Sequence, residues 1–366
     1  MVTSEQFMER AIVLARRGKG RTAPNPAVGA LIIKNGVIIG EGWHKKAGGH
    51  HAEVMALRKA GSAAKGAEAF VTLEPCNHQG RTGPCSLALI DAGIKAVYFG
   101  AKDTSSKQGR KGAAALKRAG VKVVSGILKD KCQELVADFS KHSSTGLPLV
   151  TLKTAMTLDG KIASLSGDSR WISGEKSRRL VHSMRSETDA VMIGSDTALQ
   201  DNPELTVRHG PARRNPMRVI IDSRLRTPED SKLAKTAREV DTAIFTTKAG
   251  AVSEKAVRLS GMGLKVMAAG VGARVDLLAV LKALGEMNVM SLLVESGGAL
   301  AWELLRLGLV DRVRFFIAPK LAGGPGSVMA AGGVDRIAEA YRLEDMKVFM
   351  CGEDVVIDAI VPGKEG

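Results

Sequence analysis

The chain has 366 residues, four cysteines and 45% hydrophobic residues, enough apolar material for two packed domains and far from the composition of a disordered chain. Four cysteines in this length make no disulfide framework, no aliphatic run is long enough to cross a bilayer, and the start Met-Val-Thr-Ser-Glu-Gln-Phe lacks a basic then apolar leader. A cytoplasmic protein without a membrane partner is expected. The net charge of +15 is uneven: residues 1–146 hold 23 Lys and Arg against 11 Asp and Glu, or +12, leaving +3 for the rest. A basic half suits nucleic acid or a phosphorylated small molecule, but with aromatics at 4% the stacking platforms of single-strand binders are scarce.

In chain order, residues 4–17 are predicted helical, with Phe7, Ala11, Leu14 and Ala15 on one face and a Thr3…Gln6 capping box. Two β-rich runs, 27–34 and 37–43, flank Asn35-Gly36, a strong hairpin signal. A helix opens near His51, a strand covers 69–73, a helix 86–92 and a strand 96–99. Then come a helix over 111–119, a strand over 121–124 and a last helix over 129–140. This makes a five-strand α/β unit with four or five helices. The polar stretch His142–Pro148 is read as a linker between a domain of residues 1–146 and one of residues 147–366. Strands are predicted at 149–155, 190–193, 218–221, 242–246, 265–267, 291–294 and 313–317, alternating with helices as a largely parallel sheet requires.

The chemistry of the first half concentrates in His51-Ala-Glu53 and in Pro75-Cys76, with eight residues before Cys85. One imidazole and two thiolates suit zinc, and three protein ligands leave a position for water, whose pKa zinc lowers to about 7. Glu53 would be a non-ligand acid/base that moves a proton from the water to the departing amine. His51 and Glu53, two apart, reach one metal only from the first turn of a helix. Cys85 before an apolar run fits a thiolate at a helix start. Cys132 and Cys351 are read as packing residues. A structural zinc site closed by His78 as fourth ligand remains open.

The wider pattern adds Pro24-Asn-Pro-Ala-Val-Gly29, Gly42-Trp-His44, Gly48 and Thr72-Leu-Glu-Pro-Cys-Asn-His78-Gln-Gly80-Arg-Thr-Gly-Pro-Cys85. It resembles the cytidine-deaminase-like superfamily, and within it the deaminase half of the deaminase/reductases of riboflavin biosynthesis. Nucleic-acid deaminases have two residues between their cysteines, not eight. The resemblance implies a three-layer α/β fold and a pocket for a pyrimidine and its ribose phosphate lined by Asn25, His44, His78 and Arg81. Gly83-Pro84 stands where the family has Pro-Pro, and Asp103-Thr-Ser-Ser106 where it has Asp-Pro-Asn-Pro.

Residues 147–366 contain no Gly-x-Gly-x-x-Gly after a strand, which gives no support to a Rossmann site. Their succession of Lys153–Lys161, Ser169–Ser173, His182–Asp189, Gly194–Thr197, Asp201–Arg208, Ile221–Ser223 and Glu295–Gly298 resembles the reductase domain of the same family, with a dihydrofolate-reductase-like fold. By resemblance, Ala155, Trp171, Thr197, Asp201, Ser223, Gly297 and Gly298 contact NADPH. The same resemblance implies that Lys153, Ser169, Arg185, Leu205, Arg208 and Glu295 hold the substrate, and Lys153 and Asp201 are expected to flank the reacting ribosyl carbon. The whole chain thus resembles a bifunctional enzyme that uses Zn2+ and NADPH on a phosphoribosyl pyrimidine, and a homodimer or higher homo-oligomer is expected. The competing readings are a deaminase with an inactive reductase-like module, a nucleic-acid deaminase and a non-enzymatic zinc-stabilised module.

Overall fold

The computed structural model describes residues 2–78, 83–104, 111–209, 214–324 and 332–363. It divides into two compact units, Met1–Leu147 and Pro148–Gly366.

In the first unit, β1 (Gly29–Lys34) and β2 (Val37–Trp43) form the hairpin, with Asn35 and Gly36 both at positive φ, 50° and 78°, as a tight primed turn requires. With β3 (Glu68–Leu73), β4 (Ala96–Ala101) and β5 (Lys122–Ser125) they make a five-stranded sheet in the order β2-β1-β3-β4-β5. The β1–β2 and β1–β3 pairs are antiparallel and the others parallel.

The helices are α1 (Ser4–Arg16), α2 (Ala52–Ala60), α3 (Cys85–Asp91), α4 (Gly112–Arg118), α5 (Lys129–Leu135) and α6 (Ala137–Thr145). Helix α1 starts on Thr3 with the reciprocal Thr3–Gln6 capping box. Glycines fix how closely two helices approach the sheet. A Cβ on Gly29 would lie 2.0 Å from the Ala11 carbonyl oxygen of α1, and one on Gly42 would lie 2.2 Å from the Ala52 carbonyl oxygen of α2. Gly42 pairs with Ala30, the neighbour of Gly29, and successive strand residues point to opposite faces. Helices α1 and α2 therefore cover opposite faces of a three-layer unit.

Two details depart from expectation. The helix foreseen over 129–140 is two, broken at Val136 (φ −112°, ψ 16°), and the second runs on to Thr145, so the unit has six described helices. The supposed linker is accordingly helical through Thr145. Ser144 Oγ and Thr145 Oγ1 both donate to the Lys141 carbonyl, and Gly146 closes the helix in the left-handed region (φ 73°), leaving only residues 146–148 between helix and next strand.

The second unit is built on β6 (Leu149–Thr157), β7 (Ala190–Gly194), β8 (Met217–Ile221), β9 (Thr242–Thr246), β10 (Lys265–Ala268), β11 (Ser291–Val294), β12 (Arg312–Ala318), β13 (Glu344–Cys351) and β14 (Asp354–Ile360). Their order is β10-β9-β8-β7-β11-β6-β12-β14-β13. Seven strands are parallel, and the β13–β14 hairpin adds an antiparallel edge that was not foreseen. Helices α7 (Glu175–Glu187), α8 (Ser195–Asp201), α9 (Lys232–Lys235), α10 (Lys248–Ala251), α11 (Glu254–Gly261), α12 (Leu277–Glu286) and α13 (Gly298–Arg306) connect the strands. Leu152 pairs with Val294, so Lys153 and Glu295, one residue further on, lie side by side on β6 and just beyond β11. The residues after β7, β8 and β11 sit at carboxyl ends of parallel strands, where open α/β sheets bind ligands. Among the described residues no helix is long and apolar enough to cross a membrane.

Candidate active sites

In the first unit the chain brings three soft donors together from three elements. His51 is the N-cap of α2, Cys76 follows β3, and Cys85 opens α3. Their ligand atoms all lie within 4.8 Å of one another. His51 Nδ1 is 3.1 Å from Cys85 Sγ and 3.6 Å from Cys76 Sγ, while the Cys85 N–H points at Cys76 Sγ at 3.5 Å. The sulfurs divide their charge. Hydrogen bonding from Cys85 and then from His51 holds Cys76 down to about 4 against its burial, whereas the Cys76 partner and burial push the Cys85 thiol up. His51 is raised, first by its bond to Cys76. Two sulfurs and one imidazole within 4.8 Å of one another fit a zinc ion as three ligands and leave one position free.

Glu53 sits in the first turn of α2, 4% exposed, and burial, then the charge of Cys76, push its carboxyl up to about 7. The first-turn placement of the His51–Glu53 pair is met. Around them lies a cavity of about 380 Å³ lined by Asn25, His44, His51, Glu53, Cys76 and His78 among others. His44 is 2% exposed, and burial first of all lowers its pKa. Its Nδ1 lies 3.0 Å from the His50 carbonyl and its Nε2 3.1 Å from Asn25 Nδ2. Nδ1 therefore donates to His50 and Nε2 accepts from Asn25, which fixes which way the Asn25 amide faces. Arg81 lies outside the described residues, as do Ser105 and Ser106 of the loop that begins at Asp103. Gly83 is described and exposed, with open space where a Cβ would stand.

Sequence reasoning missed part of the lining. Glu74 and Asp103 belong to it, as do Phe139 and Ser143 from α6. Glu74 adjoins Cys76 within a quoted motif, and its carboxylate accepts the Ala113 N–H at the start of α4, 3.0 Å away. Phe139 and Ser143 carried no signal, since nothing in their neighbourhood repeats a motif.

In the second unit Arg185 of α7 grips Glu295 through two bonds, Nε–Oε1 at 2.6 Å and Nη2–Oε2 at 2.8 Å, and its Nη1 donates to the Thr206 carbonyl at 3.2 Å. Its guanidinium is thus spent on Glu295 and the chain rather than turned as a free fork toward a phosphate. Burial raises the Glu295 carboxyl, but Arg185, with Lys153 adding, holds it below its usual value. Lys153 is lowered by burial, against the pull of Glu295. Its ammonium lies 5.7 Å from the centre of the Phe316 ring.

Ser169 Oγ reaches Asp201 Oδ1 at 3.4 Å, and Asp201 ends α8 with its carbonyl accepting from Arg170. Trp171 is 62% exposed, with the Arg178 guanidinium 4.7 Å above its ring. Thr197 lies in α8 after β7, and Ser223, after β8, accepts the Val275 N–H at 3.0 Å. Ala155 packs beside Phe316 and Val356. Gly297 caps α13 ahead of Gly298, with nothing within 4 Å of where its Cβ would stand, so that helix start is open to a ligand.

Leu205 is buried in the core at positive φ (54°), so only its backbone can face a ligand. Arg208 bonds Glu204 at 2.8 Å, and its N–H donates to His182 Nδ1 at 3.2 Å. His182 is an addition: burial, then Arg185 and Arg208, lower it to about 4, so it is a neutral acceptor between two cations.

Fold and sites define a two-domain protein, a cytidine-deaminase-type zinc-binding domain followed by a reductase domain. Residues 1–101 match the family described as the cytidine and deoxycytidylate deaminase zinc-binding region, and residues 148–357 match the RibD C-terminal domain. The riboflavin biosynthesis protein RibD of Actinobacillus pleuropneumoniae is 44% identical over 362 residues, 98% of this chain and 96% of that protein. The structure of Acinetobacter baumannii RibD, 35% identical, superposes with a TM-score of 0.86 over 98% of this chain and 99% of that one. A Thermotoga maritima diaminohydroxyphosphoribosylaminopyrimidine deaminase/5-amino-6-(5-phosphoribosylamino)uracil reductase, 33% identical, does so with 0.87 over the same shares. The chain belongs to the RibD family.

Proposed function

We propose that the chain catalyses two consecutive steps of riboflavin biosynthesis. The first is hydrolytic deamination of 2,5-diamino-6-(5-phosphoribosylamino)pyrimidin-4-one. The second is reduction of 5-amino-6-(5-phosphoribosylamino)uracil, ribosyl to ribityl, with NADPH. The observation that carries the first step is the His51, Cys76 and Cys85 donor set beside buried Glu53. Zinc held there supplies a water acidic enough to ionise near neutral pH. Glu53, whose burial already favours holding a proton, takes one and delivers it to the leaving amine. Asn25, oriented by His44, reads the pyrimidine edge and His78 adds to the substrate wall, while the resemblance assigns Arg81 to the ribose phosphate.

For the second step, Lys153 and Asp201 flank the ribosyl C1′ carbon. Ser169, Arg185, Leu205, Arg208 and Glu295 frame the substrate, with Arg185 acting through Glu295. Ala155, Trp171, Thr197, Asp201, Ser223 and the Gly297-Gly298 helix start hold NADPH, which supplies the hydride. The partner is a phosphoribosyl pyrimidine, with no nucleic acid and no membrane, in the cytoplasm. We further propose a homodimer that uses the edge strand β13, where Met346, Val348 and Met350 alternate along one exposed face. Light scattering of Val348→Lys against wild type tests the dimer; an unchanged mass would reject that interface.

The decisive experiment follows ammonia release and NADPH oxidation together on the diamino substrate, for wild type and Glu53→Gln. Wild type should do both. The variant should release no ammonia and oxidise no NADPH on that substrate, yet reduce the deaminated uracil compound at the wild-type rate. A zinc-loaded wild type that releases no ammonia would refute the reading.

A further inference from the structure

The matched deaminase region ends at residue 101, but the cavity does not. Phe139 and Ser143 of α6 line it together with His51, Glu53 and Cys76. They are four apart, hence on one helix face, one turn from each other. The helix is held there by the Lys19–Asp138 ion pair at 2.7 Å, with both side chains largely buried, and it turns away from α5 at the break on Val136.

Phe139 is less buried than Phe7, Phe70 and Phe99, the other phenylalanines of this unit. Phe7 and Phe70 lie 5.3 Å apart, and Phe70 stacks on Tyr98 at 4.5 Å. Phe139 is only half-buried, stands outside the hydrophobic cluster that fills the unit, and meets no other aromatic ring among the described residues. A large, half-buried apolar side chain lining a cavity that also holds Pro26, Val28 and Leu73 has a surface left for a ligand to cover.

We propose that Phe139 and Ser143 determine the specificity of the deaminase pocket. The ring of Phe139 is the aromatic wall on which the flat heterocycle rests, and the Ser143 hydroxyl meets the polar ribosyl phosphate arm at the mouth. Exposure orders the two contacts: Glu53 is buried at the floor, Phe139 is intermediate and Ser143 is exposed, so the reacting end lies inward and the charged arm outward. Selection for a ribosylated pyrimidine thus depends on residues the zinc-binding region lacks. This rests on the deaminase reading above, and the test separates the two.

Wild type, Phe139→Ala, Phe139→Leu and Ser143→Trp are compared for deaminase kinetics and zinc content, and in a Glu53→Gln background for calorimetric binding of the uracil product. Losing one aromatic face against a base costs about tenfold in affinity. Phe139→Ala should raise KM and Kd together by about that factor, with kcat moved less and zinc still bound. Phe139→Leu should recover part of the loss. Ser143→Trp, at an exposed position that folding tolerates, should block the mouth and raise KM. If wild type deaminates the substrate while Phe139→Ala, zinc-loaded, keeps its KM and Kd, the proposal is overturned. If Phe139→Ala does not hold zinc, an unchanged KM in Ser143→Trp overturns it alone. A wild type inactive on the compound would instead refute the deaminase reading.

Discussion

Gly42 offers a direct test of how the deaminase geometry is set. A Cβ there would lie 2.2 Å from the Ala52 carbonyl oxygen, 2.5 Å from the Ala56 nitrogen and 2.8 Å from Met55 Cβ. Two of these are helix backbone atoms, so no side chain can rotate away. Carbon and oxygen need about 3.2 Å, so Gly42→Ala must lift the first turn of α2 from the sheet by roughly 1 Å. That turn carries His51 before Ala52 and Glu53 after it, while Cys76 and Cys85 stand on other elements and stay. A displacement of about 1 Å at a reacting group costs on the order of a hundredfold in rate, and overpacking of this kind costs about 1–3 kcal/mol of stability. The assay measures kcat/KM for ammonia release and zinc retention against a competing chelator. Reduction of the uracil compound by the same chain serves as the internal control. Deamination should fall about a hundredfold and zinc should be held more weakly, while reduction is unchanged. A Gly42→Ala protein with wild-type deamination and zinc affinity would refute the argument that this glycine sets the position of Glu53.

Arg218→Met should destabilise the second unit by about 3–5 kcal/mol in urea unfolding, because it strips donors from a fully buried site. Its guanidinium is 0% exposed and bonds the Thr242 and Thr236 hydroxyls and the Glu204, Leu233 and Val240 carbonyls. An unchanged midpoint would mean that these bonds contribute nothing net. His182 makes stability depend on pH with a definite sign. Burial, then Arg185, Arg208 and His209, against the opposing Glu295, lower it from 6.5 to about 4, so the unfolded chain takes up its proton first. Its contribution is complete above 6.5 and is lost as the pH falls toward 4. The melting temperature should therefore drop more steeply over that window in wild type than in His182→Gln; parallel curves would refute it.

Features encoded locally were legible in the sequence. The Asn35-Gly36 turn, the Thr3–Gln6 box and the three metal donors follow from residue types at short spacing, and the structure assembles them. Features made by distant encounters were not. Arg185 and Glu295 are 110 positions apart, so no spacing announces that one consumes the donors of the other. Residues 142–145 have a loop-like composition, yet the serine and threonine hydroxyls bond back onto Lys141 and extend the helix, which hid Ser143 as a pocket residue. The β13–β14 hairpin was missed because β13 buries neither face: apart from Cys351 its residues are all exposed, and Phe349 between Val348 and Met350 blurs the short apolar alternation that marks a half-buried strand.

The metal donors come from three separate elements, and this has a kinetic consequence. His51, Cys76 and Cys85 meet only when the hairpin has closed, β3 has paired with β1, and α2 and α3 have both docked. A chain still searching for that arrangement offers the ion scattered single donors. An ion that binds only the finished arrangement leaves the climb to the folding barrier untouched and deepens the well beyond it. Zinc should then act as a latch on unfolding, lengthening the lifetime of the native domain without hastening its birth.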